Sequence, residues 1–162
     1  MVTIKKFDHV LDQAAAGDGR KVTPQPGGKD YEKLKHRAIV ELLESSWIRG
    51  QAAEMGIGLR PRQVSRELAD LKKQAFKNGA QYRRFLKEAH FTRADVFERV
   101  EVQMFSELIQ ERILVGIGSE AAAHKALSKF VVEYAKRWRS RTVCASGYVT
   151  ELCSNGPEPK GP

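Results

Sequence analysis

The sequence has only two cysteines and no long apolar run, and these shortages limit the class of protein. No stretch approaches the roughly 18 apolar residues that a membrane-spanning helix needs, so we expect no membrane span in this sequence. Its first ten residues, MVTIKKFDHV, lack the charged and then apolar segments of a signal peptide. With 162 residues, the chain is long enough for one domain with its own core.

Residues with metal-binding or catalytic chemistry are scattered. The four histidines fall on separate predicted elements, and the sequence has neither a His-Glu-x-x-His nor a Cys-x-x-Cys spacing. The glycine pairs in GIGLRP and GIGSE lack the Gly-Lys-Ser/Thr of a phosphate-binding loop, so they indicate helix breaks. We therefore predict no enzyme, no catalytic residue, no metal site and no cofactor.

Basic residues are unevenly distributed along the chain. Residues 60–87 hold nine Lys and Arg against two acidic residues, and residues 125–141 hold six against one. Residues 88–124 carry three basic and seven acidic residues. Such alternation is not typical of a basic stripe that follows a phosphate backbone. We predict no nucleic-acid partner, although a fold that joined the two basic blocks would favour one.

Apolar residues recur at helical spacing through most of the chain, which predicts an all-α fold of about six helices. The predicted helices cover about 3–16, 31–55, 61–77, 80–89, 92–115 and 119–138. The fifth has two apolar rows, so we expect it to contact more than one neighbour. We predict a single helical domain over 1–141, with a flexible loop at 17–29, a β-hairpin at 142–153 and a disordered tail at 154–162.

The order of these helices resembles a known family. A helix containing Trp47-Ile48 ends in Gly-Ile-x-Leu, and a helix with Val64 and Leu68 follows it. A helix rich in tyrosine and phenylalanine comes next, and FTRADVFERV then begins the long helix. This sequence, from 41 to 113, resembles the N-terminal helical domain of SurA-type and PrsA-type foldases. The resemblance implies an exported chaperone domain.

One part of that family is missing from this chain. Foldases of this type insert a parvulin-like prolyl isomerase domain after the long helix, where this sequence has only LVGIGSEAAAHK. The resemblance therefore implies binding of polypeptides without isomerase activity. The end of the chain, KFVVEYAKRWRSRTVCASGYVTELCSNG, is similar to an actinobacterial branch in which a Trp-containing helix leads into a two-cysteine hairpin.

Cys144 and Cys153 are the two cysteines of the chain. Such a pair is either a disulfide outside the cytoplasm or two reduced thiols inside it, and proximity in sequence alone does not decide. A disulfide needs Cα atoms about 5.5 Å apart, so the chain must reverse direction between them. Ser146-Gly147 can form that turn. We predict a disulfide and an extracytoplasmic location.

The predicted function is holdase-like binding of unfolded or extended polypeptides. Aromatic and methionine side chains suit soft contacts with many sequences. The candidate client-binding residues are Trp47, Tyr82, Phe85, Phe91, Met104 and Phe105. The same spacing is typical of ordinary core positions. The alternative is a structural domain that dimerises by exchanging helices and binds no client. The resemblance also allows a homodimer, and membrane proximity if a full-length form is lipid-anchored.

Overall fold

The chain folds into six α-helices, as the apolar periodicity predicts. The computed structural model describes residues 1–159. The helices are α1, Ile4–Gly17; α2, Lys29–Glu54; α3, Pro61–Ala75; α4, Gly79–Glu88; α5, Arg93–Leu114; and α6, Glu120–Ser140. The prediction of an all-helical domain is confirmed.

Four helices begin where a side chain caps their first turn. Thr3, Asn78, Thr92 and Ser119 each accept a hydrogen bond from the backbone N–H three residues further on. At α5 the capping is reciprocal, because Asp95 accepts a hydrogen bond from the Thr92 backbone N–H at 2.7 Å. These bonds satisfy donors that a helix otherwise leaves unpaired.

The main core lies between α1 and the first half of α2. It consists of buried side chains spaced three and four residues apart on each helix: Phe7, Val10, Leu11, Ala15, Leu34, Ala38, Ile39 and Leu42. Tyr148, which follows α6, packs the edge of its ring against Phe7, with centroids 5.0 Å apart. We call α1, α2 and the C-terminal segment 141–159 the base of the molecule.

Helix α5 joins the base to the rest of the chain. It packs against α2, α3 and α6, which confirms the prediction that its two apolar rows need more than one partner. Helix α6 returns to the base at its end. A Cβ at Gly50 of α2 would overlap the ring of Trp138, so glycine allows this close approach.

The C-terminal segment corrects one prediction. No residue from 1 to 159 is in a β-strand, so the hairpin predicted at 142–153 is not formed there. The predicted turn at Ser146-Gly147 does form, and Gly147 has a φ of +82°. Side chains hold the segment instead of a strand ladder. Asn155 donates to the Cys144 carbonyl at 2.9 Å and accepts from its N–H at 3.1 Å.

The two other segments predicted to lack regular structure make polar contacts. In the connection between α1 and α2, Arg20 pairs with Asp30 at 2.7 Å, and Thr23 hydrogen-bonds Asp12. Near the C-terminus, Arg139 donates to the Gly156 carbonyl at 3.2 Å. The last three residues of the predicted tail, 160–162, lie outside the described residues.

Candidate functional site

An apolar groove of about 520 Å³ crosses the base of the molecule. Its lining comes from the first residues of the chain, one face of α2, the end of α6 and the loop that the disulfide closes. Ile39 and Leu42 belong to both the groove and the core, so the packed interior supports the floor. The groove is therefore a feature of the folded base and not of one helix.

Both tryptophans of the chain line this groove. The Trp47 indole N–H donates to the Thr142 hydroxyl at 2.8 Å, and that hydroxyl donates to the Trp138 carbonyl at 2.8 Å. Because these bonds satisfy the polar atom of Trp47, its ring is held at a fixed angle in the wall, where it is buried. The groove thus has a rigid aromatic wall.

The rim of the groove exposes large apolar side chains to water. Ile4 of α1 is 65% exposed, and Val143, which directly precedes Cys144, is 79% exposed. Exposed apolar residues scattered singly are normal, but here they border an apolar cavity. The arrangement suits apolar side chains of a second molecule.

A disulfide bond holds the loop that forms one wall. Cys144 and Cys153 are bonded, with Cα atoms 5.7 Å apart, which confirms the predicted pair. Cys153 is fully buried, whereas Cys144 lies at the groove. The Arg139 guanidinium fixes the far side of the loop by donating to the Glu151 carbonyl at 3.0 Å. The bond is compatible with an oxidising location outside the cytoplasm.

Three of the six predicted client-binding residues form a separate aromatic cluster. Tyr82 and Phe85 of α4 pack against Phe76, which follows α3, and Phe91 before α5 packs against Phe85. Phe76 lies 5.3 Å from Tyr82 and 5.4 Å from Phe85, measured between ring centroids. Phe85 also stacks on Phe91 at 5.7 Å and is 37% exposed. This cluster is not part of the groove lining.

The remaining predicted residues lie in two other places. Trp47 is buried in the groove wall. Met104 and Phe105 are half-buried on α5 and line neither the groove nor the aromatic cluster. The structure therefore brings together Tyr82, Phe85 and Phe91 but not all six residues.

A second, polar cavity of about 430 Å³ adjoins the groove. Asp95 lies in its wall and accepts hydrogen bonds from the Thr92 hydroxyl at 2.6 Å and from His9 at 2.8 Å. Burial raises the pKa of Asp95, but these bonds to Thr92 and His9 outweigh it and lower the pKa to about 2. Asp95 is thus a charged link between α5 and α1.

The sequence alone did not identify most of the groove. Periodicity assigned Leu42 and Leu43 to a core face, but it gave no sign that Ile4 and Val143 would meet across a cavity.

Among residues 1–159, no three His, Cys, Asp or Glu side chains are grouped as metal ligands. No helix within the same range is long and apolar enough to span a membrane.

Comparisons of this chain with protein-family models, curated proteins and solved structures find no match.

Proposed function

We propose that this chain is a chaperone-like domain that holds unfolded or extended polypeptides outside the cytoplasm, without prolyl isomerase activity. The apolar groove is the observation that carries this proposal. It offers a water-exposed apolar surface on a chain with a formal net charge of +8, which favours solubility. The order of the helices, which resembles the SurA-type and PrsA-type domain, supports the same proposal.

The lining of the groove suits apolar segments of many different polypeptides. It is mostly apolar and offers few directional polar groups, so it would accept many side chains. Ordering an extended chain costs several kcal/mol of the gross interaction, so binding should be weak and reversible. The disulfide in the groove wall suits an oxidising compartment.

Intrinsic fluorescence offers a direct test, because both tryptophans line the groove. Titration with an unstructured apolar peptide should change the tryptophan emission, and the protein should slow aggregation of an unfolded client without ATP. The double variant Ile4→Ser with Val143→Ser should weaken both effects, with little change in melting temperature because both side chains are exposed.

Val131→Ser with Val132→Ser is the matched control. These valines are exposed on α6, 58% and 69%, and do not line the groove. This control should keep the protection that the groove variant loses. Equal loss in both variants would mean that general surface hydrophobicity, and not the groove, holds the client. Absence of protection by the unmodified chain would exclude the proposed function.

Helix α6 favours the second candidate, a dimer formed by helix exchange. No residue of α6 is fully buried, and a short connection containing Gly116, with a φ of +78°, joins it to α5. A helix without a fully buried residue could pack on a second copy instead. Sedimentation velocity distinguishes the two: a stable dimer without client protection would replace the holdase proposal.

A further inference from the structure

Helices α3 and α4 carry a dense set of cations with few anionic partners. Residues 60–87 contain nine Lys and Arg side chains. Within the described residues, Lys73 is the only one of them in an ion pair, with Asp70 at 3.0 Å. We call the exposed cations of α3, α4 and the turn between them the basic surface; examples are Arg66, Arg83 and Arg84.

The arginines of the base are paired with carboxylates, by contrast. Arg37 pairs with Asp18 at 2.9 Å, and Arg49 pairs with Glu101 at 3.1 Å. Charges that repel one another and lack partners destabilise the compact state. Most of the positive charge on α3 and α4 therefore has no partner within the protein. An anionic molecule bound there would reduce the repulsion among these cations.

The basic surface connects to the apolar groove through a chain of contacts. Phe85 of α4 stacks on Phe91, and the Arg99 guanidinium lies 4.7 Å above the Phe91 ring. Arg99 also lines the polar cavity. That cavity and the groove share lining residues, among them Leu42 and Ser46. The polar cavity, which Glu41, Asp95 and Glu98 also line, therefore links the groove to the aromatic cluster of α3 and α4.

The aromatic cluster provides a stiff support for these cations. The Lys72 ammonium lies 4.3 Å from the centre of the Tyr82 ring, and Tyr82 packs against Phe76. Such stacking holds the charge near the surface without neutralising it. Arg83 and Arg84 follow Tyr82 directly on α4 and are free to meet an incoming carboxylate.

We propose that the basic surface is a second subsite for the same client and takes an acidic stretch next to the apolar stretch that fills the groove. This inference rests on the proposed function and narrows its substrate class to polypeptides with adjoining apolar and acidic segments. Continuity with the groove favours a polypeptide over a separate polyanion. The role of the predicted residues Tyr82, Phe85 and Phe91 is then to support the acidic subsite.

Three peptides test this directly by tryptophan fluorescence at low salt. All three contain the same apolar segment. The segment is followed by a run of glutamate in the first peptide, of lysine in the second and of neutral residues in the third. Each peptide is also made with its run placed before the apolar segment. The glutamate peptide should bind about tenfold more tightly than the neutral one, since several exposed ion pairs each add a small amount. The lysine peptide should bind more weakly than the neutral one, and high salt should remove both differences.

Charge variants locate the effect. Arg83→Glu with Arg84→Glu should abolish the gain from glutamate and leave the affinity of the neutral peptide unchanged. Lys125→Glu with Lys136→Glu changes the net charge equally at exposed sites on α6 and should retain most of the gain. Arg83→Lys with Arg84→Lys keeps the charge and should also retain the gain. This variant tests the subsite even if Arg83→Glu with Arg84→Glu does not fold.

The outcomes separate this inference from the proposed function. If the neutral peptide binds and glutamate adds nothing, the acidic subsite is excluded while the groove remains. If no peptide binds, the proposed function fails and the inference fails with it. Equal binding of oligoglutamate alone or of single-stranded DNA, unaffected by peptide in the groove, would indicate a general polyanion surface and would overturn the two-part site.

Discussion

The base and the basic surface are built from similar amphipathic helices but differ in what their side chains meet. In the base, α1 and α2 bury a continuous set of apolar residues, and their arginines have carboxylate partners. On α3 and α4, Val64 and Tyr82 are the buried residues, and most cations face water. Helical periodicity alone therefore does not tell a core helix from a surface helix; the available partners do.

The difference also separates two sources of stability. The base is held by apolar burial and by a disulfide, whereas α3 and α4 depend on one aromatic cluster and on the contact of α3 with α5. Regions with few buried contacts open more easily. We therefore expect substitutions of the same chemistry to have unequal effects in the two regions.

The largest expected difference is between two leucines. Leu34 of α2 is 1% exposed, and Leu71 of α3 is 39% exposed. Leu34→Ala should lower the free energy of unfolding by about 3 kcal/mol because it leaves a cavity in the core. Leu71→Ala should lower it by only about 0.5 kcal/mol. Urea denaturation measures both, and equal losses would mean that the two regions do not differ as described.

Reducing the Cys144–Cys153 disulfide should have the next largest effect, confined to the base. In the chain-entropy model, closing a loop of about ten residues stabilises the protein by up to about 2.7 kcal/mol. We expect circular dichroism to keep its helical signal while proteolysis begins to cut after Arg141. The groove should lose affinity for peptide as its wall loosens. Cooperative loss of helix on reduction would contradict this local effect.

The charged link at Asp95 should give a smaller, pH-dependent effect. Its folded pKa of about 2 is below the value of an unfolded aspartate, so its contribution is complete above about pH 5 and is lost as the pH falls toward 2. The loss should amount to about 2 kcal/mol of the free energy of unfolding.

Asp95→Asn removes this titration and serves as the comparison. Its free energy of unfolding should be lower than that of the unmodified chain at pH 7, and the gap should close on acidification. Denaturation curves measured across that range give the gap at each pH. If this difference in the free energy of unfolding did not change with pH, the Asp95 carboxylate would have the same pKa in the folded and the unfolded chain.

Local signals in the sequence located the helices accurately. Three predicted ranges begin at Thr3, Thr92 and Ser119, which do cap α1, α5 and α6, because capping depends on residues three positions apart. The β-hairpin prediction failed for the opposite reason. Whether 142–153 pairs as strands depends on competing partners, and here Arg139 and Asn155 supply hydrogen bonds that a strand ladder would otherwise make.

The sequence predicted the candidate site less well than it predicted the fold. Six aromatic and methionine residues were candidates, and three of them, Tyr82, Phe85 and Phe91, form one cluster. Trp47 was a candidate because it is aromatic, but its neighbours in the groove come from residues far along the chain, such as Val143. No periodicity within one helix contains that information.

By itself, the sequence determined the six helices, their caps, the uneven charge and a cysteine pair close enough to bond, because each depends on residues near one another in the chain. Only the tertiary structure decided which apolar faces remain uncovered. The groove exists because α1, α2, α6 and the disulfide-closed loop meet without filling the space between them. That outcome depends on the volumes and positions of side chains more than 90 residues apart, such as Trp47 and Thr142.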